Sequence, residues 1–357
     1  FDLGGSSLKA VLLGRALTEG LGRPFSAAEV LQRPTVAALA AGDQSDAARI
    51  VLPPLERSLV AADLLSASHP ISWNQSQLLT LHEIDGTAAV YNIPMAWWLH
   101  GALDVPALRN ALSVVLERHA VLRTTYAVDK GHGGFTQRVC NVPVGGSLLC
   151  EYDAASAEAA QAVAAQDALQ GFELLGAGGG VMRCTLVRVS GTAQQLLLVN
   201  VHHVAFDGWS VGVLWRELGA LYACRARGGT AAEAELPALP AQYVDYALWQ
   251  RSEAVEAQLG GSLAYWREQL SEGDLPVLEL PTDMPRPALP TYNSGTMPLE
   301  LPPELTELLA GMGRAHDCTL YQVMLAAWAL LLCRHAGQDE VVIGSPYHGR
   351  DTAGTES

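Results

Sequence analysis

The stretch QQLLLVNVHHVAFDGWS, residues 194–210, decides how this chain is read. From Leu196 to Val201 only Asn200 is polar, so both faces of the implied strand are apolar. Such a strand lies inside a sheet rather than at its margin. It delivers His202 and His203, with Asp207 four residues on, to the point where strand gives way to turn. Groups at strand ends line crevices, and the sheet behind them holds them still. An imidazole accepts and returns a proton near neutrality, which makes His203 the candidate general base. Asp207 is either a catalytic carboxylate or the partner of an arginine that locks the turn. Gly208 permits close backbone approach or positive φ. An isolated H-x-x-x-D also suits a plain surface turn; the doubled histidine and the following DGWS narrow the reading. His202 and His203, adjacent on a strand, point to opposite faces, which argues against a shared metal ion.

Outward from this stretch the elements alternate irregularly. SVGVLWRELGALYACRARGG (210–229) reads as a helix stopped by glycines, with Ser210 as a cap or as an aid to a developing oxyanion together with Gly208. VMRCTLVRV (181–189) reads as a strand. In DVPALRNALSVVLERHAVL (104–122), Asp104 caps, Pro106 suits the first turn, and Leu108, Leu112, Val115 and Leu116 share one face. Beyond the proline-rich crossing at 280–292 come helices over 303–317 and 319–336, then a strand EVVIGSP (340–346). The front, residues 1–42, reads as helices with tight turns, Ser26 and Thr35 serving as caps, and 43–69 reads as a linker. The fold class is α/β and layered, in two lobes.

Composition bounds the function. The 357 residues hold 49% apolar and 17% charged side chains, enough for substantial cores. A formal charge of −15, from 22 Lys plus Arg against 37 Asp plus Glu, argues against nucleic-acid binding. The longest apolar run, VMLAAWALLLC at 323–333, is too short to span a bilayer. Six cysteines without C-x-x-C spacing read as reduced, buried thiols of a cytoplasmic protein. The chain opens at Phe1 without a secretory segment, and is expected to be a piece of a longer polypeptide.

HHVAFDGWS resembles the H-H-x-x-x-D-G signature of condensation domains of nonribosomal peptide synthetases. In the same order, RHAVLRTTY (118–126) resembles their R-H-E-x-L-R-T-x-F with Ala120 in place of glutamate. YVDYALWQR (243–251) resembles Y-x-D-Y-A-x-W-Q-R, and VVIGSPYHGR (341–350) resembles I-G-x-P-x-x-x-R. SWNQSQLLTL (72–81) matches S-x-A-Q-x-R-L-W-x-L in part, with Gln77 replacing arginine and Leu79 the aromatic residue. At the front, FDLGGSSL (1–8) resembles the L-G-G-x-S-L of a peptidyl carrier domain, and LQRPTVAALA (31–40) its last helix.

The resemblance implies a partial all-α carrier domain at 1–42, a linker at 43–69, and a chloramphenicol-acetyltransferase-like condensation domain at 70–357 whose second lobe is incomplete. It implies 4′-phosphopantetheine on Ser7, attached by a phosphopantetheinyl transferase, donor and acceptor carrier domains as partners, and a neighbouring adenylation domain. Neither a metal nor a membrane is implied. The activity implied is amide formation between a donor thioester and an acceptor amine, with His203 as base or positioner. Asp207, Gly208 and His202 accompany it, and Arg118 and Arg123 are the arginines offered to Asp207. Ser210 and Trp249 are supporting residues, and His119 is a packing or hydrogen-bonding residue. The alternatives are a coenzyme-A-dependent acyltransferase of the same fold and a catalytically degenerate module that docks carriers.

Overall fold

The computed structural model describes residues 67–357, apart from 86–88, 132, 142–147, 177–179, 271–274, 288–290, 292–293, 348, 351–354 and 356–357. Ahead of residue 67 it describes scattered positions, among them 35–40, 64 and 65. The chain divides into two compact units: Leu52–Gln258 with Thr352–Ser357, and Phe1–Val51 with Leu259–Asp351.

The first of these units holds two sheets. In chain order its elements are β1 (His69–Pro70), a helix Trp73–Asp85, β2 (Asn92–Leu99), a helix Val105–Arg118, β3 (Thr124–Val128), β4 (Phe135–Val139), β5 (Leu149–Ala154), a helix Ala157–Leu169, β6 (Met182–Val189), β7 (Gln195–His202), and helices Gly208–Ala226 and Tyr243–Gln250. With Val36–Ala40 as α1, these helices are α2 to α6. A further helix, α7 (Glu253–Gln269), leads to α8 (Pro303–Ala315) and α9 (Leu320–Ala336). One sheet has the order β1-β4-β3; the other has β2-β7-β6-β5, antiparallel except for the parallel β5–β6 pair.

The double-faced apolar strand is central, as its sequence requires. Leu197, Val199 and Val201 of β7 face a cluster with Leu108, Leu112 and Val115 of α3 and Leu214, Leu218 and Leu221 of α5. Leu196 and Leu198 point the other way, to Ala154, Val187, Val189 and Ala160 of α4. Period-two alternation thus puts helices on both faces. Each fully buried leucine or valine contributes about 1.5–3 kcal/mol. Asp104 caps α3 by accepting from the Ala107 N–H at 2.9 Å, with Pro106 in the first turn.

The sheet's two outer strands are polar or interrupted. On β5, Cys150 to Asp153 are exposed, and Glu151 and Asp153 pair with Arg188 at 2.7 and 3.1 Å. On β2, Pro94 lacks an amide proton.

Several expectations change. Residues 340–346 form no strand, because no described strand lies beside them to complete a ladder. Of the six cysteines, Cys184 and Cys224 are buried, whereas Cys150 is exposed on the outer strand β5 and Cys140, Cys318 and Cys333 are half-buried; none is bonded to another. The last residues of the expected linker pack into the fold: Leu64 is buried with Ala120, Val139 and Val244, and His69 belongs to β1. At the front, Thr35 accepts from the Ala38 N–H at 3.1 Å, and Leu39 is buried with Ala10, Phe25 and Val30. Among the described residues no single helix is long and apolar enough to cross a membrane; α8 and α9 pass that test only as a pair bent by 103°.

Candidate active site

The histidine motif is built by the end of β7 and the turn into α5. The His202 N–H donates to the Val181 carbonyl at 2.8 Å, and the His203 N–H to the Tyr91 carbonyl at 2.8 Å. The turn closes with the Ala205 N–H on the His202 carbonyl at 3.0 Å. Buried His202 precedes the exposed histidine, and two apolar anchors follow it. Val204 is buried with Ile71, Leu79, Tyr126 and Phe172, while Phe206 enters the cluster of α3 and α5. With its neighbours held in cores, His203 presents its ring to the surface, and among the described residues that ring has no hydrogen-bond partner.

His202 is its opposite. It is 2% exposed, and its Nδ1 accepts the Val204 N–H at 3.0 Å, which places the ring proton on Nε2. The rings of Phe172, His82 and Tyr91 surround it at 6.0–6.3 Å. Burial, with His82 and His203 adding to it, drives its basicity down to about 4. Because this native value lies below the ordinary one, the unfolded chain takes up a proton that the folded chain refuses. Stability is therefore complete above about pH 6.5 and falls as pH drops toward 4, by up to about 3 kcal/mol. Urea unfolding between pH 7 and 4 checks this; His202→Leu is expected to flatten the slope.

Asp207 is the N-cap of α5. Its Oδ1 accepts from the Ser210 N–H at 2.8 Å and from the Ser210 hydroxyl at 2.5 Å, and its own N–H reaches Ser210 Oγ at 3.4 Å. Ser210 is thus the reciprocal partner in a capping box rather than the cap itself. Asp207→Ala is expected to cost about 1 kcal/mol through the lost cap, read from the denaturation midpoint. Gly208, the first helical residue, has neither positive φ nor a close neighbour: a Cβ there meets nothing within 4 Å. The expectation of positive φ is corrected, and the space beside the turn lies open.

The two arginines offered to Asp207 are engaged elsewhere. Arg118 Nε donates to Glu217 at 3.0 Å and its guanidinium also reaches the Pro237 carbonyl. Arg123 is spent on the carbonyls of Leu116, Cys140 and Glu117. Arg118, at the end of α3, faces α5, and Arg123, in the short 3-10 turn after it, faces backbone; neither faces the histidine turn. His119 Nε2 lies 2.7 Å from the same Glu217 oxygen. Burial opposes the charge on Glu217, yet His119 and Arg118 together bring its carboxyl net below the ordinary range. Gln242 ties this corner to α6, accepting from the Ala120 N–H and donating to the Arg118 carbonyl, each at 2.9 Å.

Trp249 lies half-buried on α6, its ring 5.6 Å from that of Tyr246. Its helix clamps the start of α2: Gln250 accepts from the Trp73 N–H at 2.8 Å, and Tyr243 shares a 3.0 Å hydrogen bond with Ser72. Gln75, 1% exposed, donates to the Tyr126 hydroxyl at 3.1 Å. Three of the sequence motifs therefore meet in one polar network. Sequence reasoning missed Glu217, Gln242, Gln75 and His82. Gln75 left a signal as the glutamine of the 72–81 motif, and Glu217 as a charge inside the apolar stripe Leu214, Leu218, Leu221. Ser7 lies outside the described residues. Among those residues no group of three His, Cys, Asp or Glu is arranged to hold a metal.

Comparison with known proteins adds to this geometry. Residues 67–357 match the condensation domain and residues 1–42 the phosphopantetheine attachment site. The dimodular nonribosomal peptide synthase of Bacillus subtilis is 34% identical over 98% of the chain, which spans 14% of that protein's length. Phosphinothricin tripeptide synthetase PhsC of Streptomyces viridochromogenes is 36% identical over 79% of the chain, covering 25% of PhsC. Among solved structures, the X-domain of teicoplanin biosynthesis, in complex with OxyB, matches at 30% identity with a TM-score of 0.68, over 80% of this chain and 60% of that one.

Proposed function

Since the chain belongs to the condensation-domain family, with a phosphopantetheine attachment segment at its front, we propose that it forms an amide between two carrier-bound substrates. The observation that carries this reading is the exposed His203 ring set between two buried neighbours, His202 and Val204. The acceptor amine adds to the donor thioester carbonyl, a C–N bond forms, and the C–S bond breaks. His203 takes the proton that the amine sheds, and the departing thiolate receives one. A free α-amine has a pKa of about 7.7–8.0, so it needs only modest help to become a nucleophile. His203 therefore acts as much by orienting the amine as by basicity. The capping box and the buried His202 hold the turn still meanwhile. The phosphopantetheine arm, expected on Ser7, supplies the thioester linkage.

The partners in this reading are donor and acceptor carriers, a phosphopantetheinyl transferase that loads Ser7, and an adenylation domain that selects the amino acid. The compartment is the cytoplasm. A second reading, a docking module, draws support from the teicoplanin X-domain, solved in complex with OxyB. A transfer assay separates them. The chain is mixed with a donor acyl-pantetheine thioester and an acceptor aminoacyl-pantetheine thioester, and the amide product is followed by mass. Product above the uncatalysed level supports condensation. Its absence, while loaded carrier domains added in a parallel binding measurement still bind, favours docking. Equal transfer from acyl-coenzyme A to a free amine favours the coenzyme-A reading.

A further inference from the structure

Helix α2 reaches from the polar network at its start to the histidine motif at its end. Its first turn is fixed by Ser72, Gln75 and the Trp73 N–H, and the Arg251 guanidinium lies 3.4 Å over the Trp73 ring. Two helical turns on, Leu79 is fully buried in the cluster that also holds Val204. One further turn brings His82, 9% exposed, with its ring 6.3 Å from that of His202 and at 82° to it. The same helix thus touches the residues immediately before and after His203.

His202 is the link. Its Nδ1 accepts the Val204 N–H, so the imidazole bridges across the backbone of His203. Tyr91 leans on the His202 ring and also accepts the His203 N–H through its carbonyl. A shift of the His202 ring moves both of these attachments. Phe172 and Tyr91 close two sides of the ring and His82 closes a third. Without His82, only Phe172 and Tyr91 hold the ring that accepts the Val204 N–H.

We propose that His82 is a positioning residue for His203, its ring packed T-shaped against that of His202 and holding it so that the bond from the Val204 amide fixes the turn. This rests on the condensation reading for its consequence in catalysis, though not for its structural content. The charged and titratable groups around the pair are Glu173 beside His82, Arg183 over the Phe172 ring, Asp167 paired with Arg183, Tyr91, and His203 on the turn itself. Burial lowers the basicity of His82, against the pull of Glu173. A proton on His82 puts a charge in a place where burial disfavours one, beside the buried His202 ring.

The experiment uses the full chain with His82→Ala and His82→Phe, the second keeping a ring edge without a titrating nitrogen. The first readout needs no substrate: hydrogen exchange of the Val204 amide and the ring-nitrogen shifts of His202, by NMR across pH. His82→Ala is expected to speed Val204 exchange by about tenfold or more and to raise the titration midpoint of His202. His82→Phe is expected to keep Val204 protected and to carry that protection to lower pH than the parent. The second readout is the pantetheine transfer assay, where His82→Ala lowers kcat about tenfold with little change in KM, and His82→Phe restores it. Unchanged Val204 exchange in a folded His82→Ala, or a His82→Phe that behaves as the alanine variant, overturns the proposal. Undiminished transfer by His203→Ala instead overturns the condensation reading and leaves the exchange result standing.

Discussion

His203→Ala is expected to slow amide formation by about 10²- to 10⁴-fold, the range that a well-placed general base supplies. The unfolding midpoint is expected to stay within about 2 °C of the parent, since an exposed side chain contributes within about 0.5 kcal/mol. That separation is unusual for a residue at the end of a core strand. It follows from the turn: His202 and Val204 on either side are buried, Phe206 enters a core further on, and the His203 ring touches no described hydrogen-bond partner. Single-turnover transfer measured against pH then divides the two roles. Loss of proton acceptance lowers the rate and alters the shape of its pH profile. Loss of orientation lowers the rate alike at every pH. A fall of less than tenfold in a folded variant removes His203 from the chemistry.

Glu217→Ala carries the largest expected cost to stability, about 3–5 kcal/mol, because it strands two partners around a vanished buried charge. Glu217 is 2% exposed, and Arg118 and His119 meet at its one oxygen, 3.0 and 2.7 Å away. Glu217→Gln keeps the volume and one acceptor, so its cost is smaller. The acid dependence has a definite sign. With its native carboxyl below the ordinary value, Glu217 adds stability that is complete above about pH 4.5. That stability is lost as pH falls through the native value. Urea midpoints for parent and Glu217→Gln are expected to converge in that acid range. The His202 contribution fades at higher pH, between about 6.5 and 4, so the two are resolved by where they act.

The sequence made β7, α3 and the histidine motif plain, because each depends on a short-range pattern. Two-faced apolarity marks an inner strand, and Asp104 with Pro106 marks a helix start. Capping at Thr35 was equally local. What the sequence did not carry was pairing over distance. Arg118 and Arg123 stood where a salt bridge to Asp207 was plausible, but nothing local says that Arg118 turns to a carboxylate 99 residues on. Ser210, offered as a cap or as an aid to an oxyanion, is the return half of a capping box and not the cap itself, a distinction that depends on where the helix begins. The short β3–β4 pair and the outer strand β5 lack clean alternation, and their places are set by neighbours. EVVIGSP has strand composition, yet composition alone cannot supply the adjacent backbone that a ladder needs.

The treatment of the outer strands has a consequence for neighbouring molecules. A sheet with bare margins can lengthen from one protein into the next, as fibrils do. Here Pro94 interrupts the supply of amide protons on β2, and Glu151, Asp153 and Arg188 crowd the far margin with hydrated charge. At the margins of this sheet, among the described residues, copies held at high local concentration meet interrupted or charged backbone, so contacts there are left to side chains.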